Sequence, residues 1–137
     1  MKELEENTIR EKIIHLDCTL RDGGYYNSWD FSAEFINNYL QAISKANIDV
    51  VELGLRLVDK NGFKGACAFT TDDFILGLNI PDNLKIGIMV NGADLLSEQG
   101  PIKVLESLFP NDSSSSPVHL VRLACHLRDI KKLTKAI

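Results

Sequence analysis

The residues best suited to chemistry lie close together in Asp17-Cys18-Thr19-Leu20-Arg21-Asp22-Gly23-Gly24. An apolar run, Ile13-Ile14-His15-Leu16, precedes them and reads as the start of a strand. A strand that ends in adjacent Arg21 and Asp22 brings a fixed cation and a hard oxygen ligand to one spot. That spot is the C-terminal end of a strand, where α/β folds place their chemistry. A carboxylate there suits Mg²⁺ or Mn²⁺, so Asp22 is the metal-ligand candidate. A metal and Arg21 acting on one substrate oxygen would stabilise negative charge developing on it. Gly23 and Gly24 are expected to turn the backbone sharply and let it approach a substrate. A buried guanidinium needs a carboxylate partner. Glu52, in Val50-Val51-Glu52-Leu53-Gly54, offers one at the end of a second strand-like run.

Four strand-like runs and the helical patterns between them must position these groups. Strands are predicted at about 12–20, 49–56, 84–91 and 118–125. A helix is predicted over 33–46, N-capped by Ser32, with Phe35, Ile36, Tyr39, Leu40 and Ile43 along one stripe. A short helix near 72–78 follows Thr71, and 81–83 reads as a turn. Helical stretches at 93–99 and 101–108 follow, with Pro101 suited to a first turn. Residues 110–117 read as a loop and 129–136 as a last helix. Strands alternating with helices argue for a parallel sheet of βαβ units.

Side-chain parity narrows the fold class. Ile14, Leu16, Cys18 and Leu20 would share one face of the first strand, with Asp17, Thr19 and Arg21 on the other. Val51, Leu53 and Leu55 oppose Glu52, Gly54 and Arg56. Ile86, Ile88 and Val90 oppose Gly87, Met89 and Asn91, and Val121 and Leu123 oppose Arg122, Ala124 and His126. One apolar and one polar or small face per strand favours a (β/α)8 barrel over a doubly wound sheet, which needs two apolar faces. A complete barrel takes about 250 residues. The 137-residue chain is therefore expected to hold a polar N-terminal extension at 1–11 and, over 12–137, the N-terminal half of such a barrel. Open sheet edges in a half-barrel predict self-association into a homo-oligomer.

Composition excludes several function classes. A net charge of −4 leaves no footprint for nucleic acid. No apolar run reaches the roughly 18 residues of a membrane span, and the polar N-terminus lacks a signal core, so a cytoplasmic protein is expected. Cys18, Cys67 and Cys125 are odd in number and lack metal-knuckle spacing. Parity places Cys18 and Cys125 on outward, core-packing faces. Cys67 falls in a loop, with nothing nearby to lower its pKa.

The string from Asp17 to Gly24, with Glu52 in register, resembles the opening signature of the HMG-CoA lyase-like metal-dependent aldolases and acyltransferases. The resemblance implies a barrel enzyme in which Asp22 binds a catalytic divalent metal. Arg21 would steady an enolate or carbonyl oxygen, and Glu52 would pair with Arg21. The run Val121-Arg122-Leu123-Ala124-Cys125-His126 is similar to the fourth strand of the 4-hydroxy-2-oxovalerate aldolases. That places Arg122 inside the barrel as a substrate-binding residue, with His126 near its mouth. In those aldolases a His two places after the first Gly acts as base; here Tyr25 stands there, with an unperturbed pKa near 10. Gly23, Gly24 and Asn91 complete the substrate-binding candidates. The acyltransferase branch carries a Gln that this chain lacks. The family also draws two metal ligands from a late His-x-His, so the remaining ligands are expected outside this chain, which alone would be inactive. The resulting expectation is part of a Mn²⁺- or Mg²⁺-dependent carbon–carbon lyase on an oxo-acid or acyl substrate, with Tyr25 or His126 moving protons. Beside it stand an acyl or carboxyl transferase and a non-catalytic barrel-derived module. Tyr25, Tyr26, Asn27 and Trp29 read equally as a substrate wall or as a packed loop.

Overall fold

The computed structural model of the chain describes residues 13–134; the extension at 1–11 and the end of the last predicted helix lie outside them. Four strands, β1 (Leu16–Asp17), β2 (Val50–Leu55), β3 (Lys85–Asn91) and β4 (Leu120–Ala124), form one sheet in the order β1-β2-β3-β4. Every neighbouring pair is parallel. Sequential order without a reversal is the order of a (β/α) barrel; a doubly wound sheet reverses at its switch point. The fold is thus α/β, with four parallel strands alternating with helices, as the strand parity implied.

Six helices accompany the strands among the described residues: α1 (Thr19–Asn27), α2 (Ala33–Lys45), α3 (Asp72–Leu76), α4 (Gly92–Leu95), α5 (Pro101–Leu108) and α6 (Ile130–Leu133). Local chemistry starts several of them. Ser32 Oγ accepts from the Phe35 N–H at 3.1 Å to cap α2, and Thr71 Oγ1 accepts from Phe74 N–H at 3.3 Å to cap α3. Pro101 opens α5. Along α2, Ile36, Leu40 and Ile43 are buried. They pack with Val51, Leu53, Ile86 and Ile88 into the main core, on the helix-covered face of the sheet. A smaller cluster of Val90, Leu95, Val104, Leu108 and Leu133 closes the β3–β4 side.

The first predicted strand is shorter than its sequence suggests. Pairing stops at Asp17, and Thr19–Asn27 is helical. Asp17 ends the strand: its carboxylate accepts from both the backbone N–H and the hydroxyl of Thr19, at 3.2 and 2.9 Å. The alternation assigned to Thr19, Leu20 and Arg21 therefore does not apply; Leu20 is buried, but from a helix. Gly23 and Gly24 likewise lie inside α1 and make no sharp turn.

At the end of β2, Gly54 is required by packing. A Cβ there would lie 1.8 Å from the carbonyl oxygen of Cys67. That close approach seats the turn 66–68 on the strand. Arg56, just beyond β2, is 2% exposed. It donates to the Thr70 carbonyl oxygen, to Leu108 O at 2.9 Å and to Asp72 Oδ1 at 2.5 Å, and it lies 4.6 Å over the Phe109 ring. This buried cation ties β2 to the start of α3 and the end of α5.

Candidate active site

The site is built on Glu52, in the middle of β2. Its side chain is fully buried, and both oxygens are engaged by cations. Arg21 Nε donates to Oε1 at 2.6 Å. Arg122 takes Glu52 in a two-pronged grip: Nε to Oε2 at 2.6 Å and Nη2 to Oε1 at 2.8 Å. Arg122 Nη2 also lies 3.8 Å from Met89 Sδ. Burial alone would raise the Glu52 pKa. Hydrogen bonds and charge from Arg122 and Arg21 outweigh it and hold the carboxyl below its usual range. Such forked, charge-assisted bonds fix geometry as well as energy.

Arg21 reaches Glu52 from the first turn of α1, not from a strand end. Its Nη1 donates to Asp22 Oδ1, on a carboxylate that is 59% exposed. Asp22 Oδ2 accepts from Cys18 Sγ at 3.4 Å. The cluster thus holds Arg21, Arg122, Glu52 and Asp22 with their charges balanced. Neither Arg21 Nη2 nor Arg122 Nη1 makes a hydrogen bond among the described residues.

Behind Arg21 stands Trp29. It is buried, in a left-handed backbone conformation (φ 57°). Its indole N–H donates to the Arg21 carbonyl oxygen at 2.9 Å. A Cβ on Gly24 would fall 1.9 Å from the indole, so only glycine lets Trp29 lie across α1. Glycine inside a helix costs about 1 kcal/mol; here tertiary packing overrides that cost. Gly23 faces ordinary space, its nearest contact being Phe31 at 3.8 Å.

Two further corrections concern cysteines. Cys18 does not pack outward in the core; it precedes α1, half-buried beside Asp22, and burial followed by that hydrogen bond raises its thiol pKa. Cys125 is exposed. Cys67 is fully buried, and burial pushes its thiol up to about 12.

The other candidates fall elsewhere. Tyr25 is 62% exposed, its ring edge-on to Trp29 at 4.8 Å. Of the aromatic loop, Trp29 is packed and Tyr26 is open. Asn91 and His126 meet at a separate place: both border a cavity of about 270 Å³ with Ala93, Ala124, Cys125 and Asp129. No hydrogen bond joins them to the arginine cluster among the described residues. Sequence reasoning gave no role in the site to Cys18 or to Asp17, whose Oδ1 also accepts from the Tyr39 hydroxyl at 2.7 Å. The Asp17-x-Thr19 spacing, a helix-start signal, was the available clue.

As to a metal, Asp22 fits one ligand position and no more. No group of three His, Cys, Asp or Glu side chains among the described residues could hold an ion.

No protein-family model and no curated protein matches the sequence. One solved structure does: a crystal structure described as the "N-terminal domain of a putative aldolase" from Bacteroides vulgatus. The two share 28% identity with a TM-score of 0.69, over 90% of this chain and 39% of the other. The chain thus spans well under half the length of that relative. The likeness is to an aldolase-type domain at its N-terminal end, and it does not single out the HMG-CoA lyase-like family.

Proposed function

We propose that this chain forms the first half of the active site of a carbon–carbon lyase, an aldolase acting on an oxo-acid or acyl substrate. One observation supports this most: Glu52, fully buried, holds Arg21 and Arg122 side by side. A buried carboxylate that merely neutralised one arginine would be structural. Here two guanidiniums are fixed, and each keeps an unused Nη nitrogen. Donors held in place before reaction stabilise an oxyanion without reorganising. Cleavage beside a carbonyl leaves an enolate, and Arg21 is the donor proposed for its oxygen. Arg122 is proposed to bind the substrate's anionic end, and Glu52 to position both.

Asp22 is the proposed carboxylate for a divalent cation, Mn²⁺ or Mg²⁺, with its other ligands outside the described residues. When bound, the cation would supply Lewis-acid polarisation of the substrate carbonyl. Tyr25 or His126 is the proposed proton-moving group, and Gly23 remains a proposed substrate contact, whereas the Trp29 indole covers Gly24 and Asn91 lies apart from the arginine cluster. No helix among the described residues is long and apolar enough to cross a membrane. We place the protein in the cytoplasm, acting on a small molecule and not on nucleic acid.

Oxalate, a planar dianion resembling the enolate of pyruvate, tests this reading. Calorimetric titration of the chain, with and without Mn²⁺, is expected to show binding that falls at least about tenfold in Arg21→Ala, roughly 1.4 kcal/mol. Binding that is absent, or unchanged in both Arg21→Ala and Arg122→Ala, would refute the proposal.

A further inference from the structure

A cavity of about 310 Å³ opens where the loop after β2 meets the start of α3 and the end of α5. None of the residues lining it belongs to the arginine cluster. Its volume is at the lower end of the range for small-molecule pockets, about 300–1,000 Å³. Leu57, Val58, Phe69, Leu108 and Pro110 give it apolar walls. The buried Arg56 borders it too, and that guanidinium is not fully used. Nε donates to Thr70 O, Nη2 to Thr70 O and Asp72 Oδ1, and Nη1 to Leu108 O alone. One of its five N–H groups, on Nη1, therefore has no acceptor among the described residues. A buried donor left unpaired is costly. The Lys60 ammonium, also at the border, makes no ion pair or hydrogen bond among the described residues. Between the lining residues Phe69 and Thr71, Thr70 is fully buried at φ 30°, outside the usual range of a β-branched residue. Arg56 holds its carbonyl oxygen, and its hydroxyl donates to Leu55 O at 2.6 Å. Backbone strain of this kind persists only where the surroundings over-determine it, and it collects at ligand clamps.

We propose that this cavity binds a small monocarboxylate with a compact apolar body, its carboxylate received by Arg56 Nη1 and Lys60. The charges select this class. Asp72 already spends Oδ1 on Arg56 and Oδ2 on Asn111, so it offers little to a cationic ligand. With Asp72 and Asp73 both at the cavity, a phosphate-like dianion meets two carboxylates and one unspent buried N–H. A single negative charge matches the one unpaired ammonium. The apolar walls leave the rest of the ligand without polar partners, which favours a hydrocarbon body. The proposal is independent of any catalytic role for the arginine cluster.

Benzoate is the probe, titrated into the ¹⁵N-labelled protein and followed by amide resonances. Val58, Phe69 and Thr71 are expected to shift together and to saturate at millimolar benzoate. Arg21→Ala is expected to keep those shifts, which separates this site from the arginine cluster. Benzamide, which keeps the acceptor and loses the charge, and phenylphosphonate, a dianion, are each expected to bind at least about fivefold more weakly. Arg56 is too deeply built into the fold to be replaced, so the variants are taken from the border. Lys60→Ala removes the exposed ammonium and is expected to weaken benzoate about fivefold. Val58→Glu places a carboxylate on a partly exposed stretch of the wall and is expected to weaken it further. Circular dichroism checks that both variants fold. Absence of shifts at Val58, Phe69 and Thr71 overturns the proposal. So do shifts there that vanish in Arg21→Ala, equal binding of benzamide or phenylphosphonate, or unchanged benzoate binding in folded Lys60→Ala and Val58→Glu.

Discussion

Trp29 donates its indole N–H to the backbone carbonyl oxygen of Arg21 at 2.9 Å, across a helix surface kept bare by Gly24. The arginine that grips Glu52 is thus held from behind by a residue eight positions along the chain. Gly24→Ala is expected to cost about 1–3 kcal/mol through overpacking. Trp29→Phe is expected to lose about 1 kcal/mol for the missing hydrogen bond, plus whatever the smaller ring leaves unfilled. Urea denaturation followed by circular dichroism measures both. For Gly24→Ala, fluorescence of Trp29, the sole tryptophan, is an independent probe. Wild-type stability in Gly24→Ala would show that Trp29 does not lie on this helix.

Glu52 is the keystone of the cluster. Glu52→Gln leaves two guanidiniums without a buried counter-charge, and a loss of about 3–5 kcal/mol is expected. Arg122→Ala removes the partner whose side chain is 45% exposed, and a smaller loss is expected. A Glu52→Gln midpoint close to that of Arg122→Ala would contradict this ranking.

Acid should dissolve the same cluster. Burial raises the Glu52 pKa, but Arg122 and Arg21 bring it below 4.5 in the folded chain. Asp72 behaves alike: burial is outweighed by hydrogen bonds from Asn111 and Arg56, which hold its carboxyl below 3.8. Where the folded pKa is depressed, the stabilisation is present above the unfolded value and is lost as pH falls through the folded one. Stability is therefore expected to drop below about pH 4.5. The Glu52→Gln profile should be flatter there, as denaturation midpoints measured from pH 6 downward would reveal.

The three thiols should react in a fixed order. Cys125, exposed, comes first. Cys18, half-buried and hydrogen-bonded to Asp22, follows more slowly. Cys67, fully buried with its pKa near 12, waits for unfolding. Titration with a chromogenic disulfide reagent at pH 8, with and without urea, checks the order. Fast reaction of all three in the native state would contradict the packing of the 66–68 turn on Gly54.

Much of this protein was legible because its signals are local. Ser32 and Thr71 cap the helices that their positions announce. The apolar alternation of β3, and the single polar residue Glu52 in an otherwise apolar β2, mark strands with two unlike faces. A guanidinium beside a carboxylate in one short string, with a second carboxylate on the next strand, implied the Arg21–Glu52 contact now seen at 2.6 Å.

Other features were settled only by residues distant in sequence. Local propensity disfavours a helix through Gly23 and Gly24; the Trp29 indole, filling the space a Cβ would take, makes the helix tenable. Arg122 meets Glu52 across 70 residues of chain, and Arg56 finds its partners at Thr70, Asp72 and Leu108. The sequence by itself determined the βα alternation, the caps and the need for a carboxylate near Arg21, since each rests on side chains a turn or a pleat apart. The tertiary structure alone decided where β1 stops, which second cation shares Glu52 and which groups receive the buried Arg56. Those outcomes depend on desolvation and hydrogen-bond geometry, which exist only once the strands lie side by side.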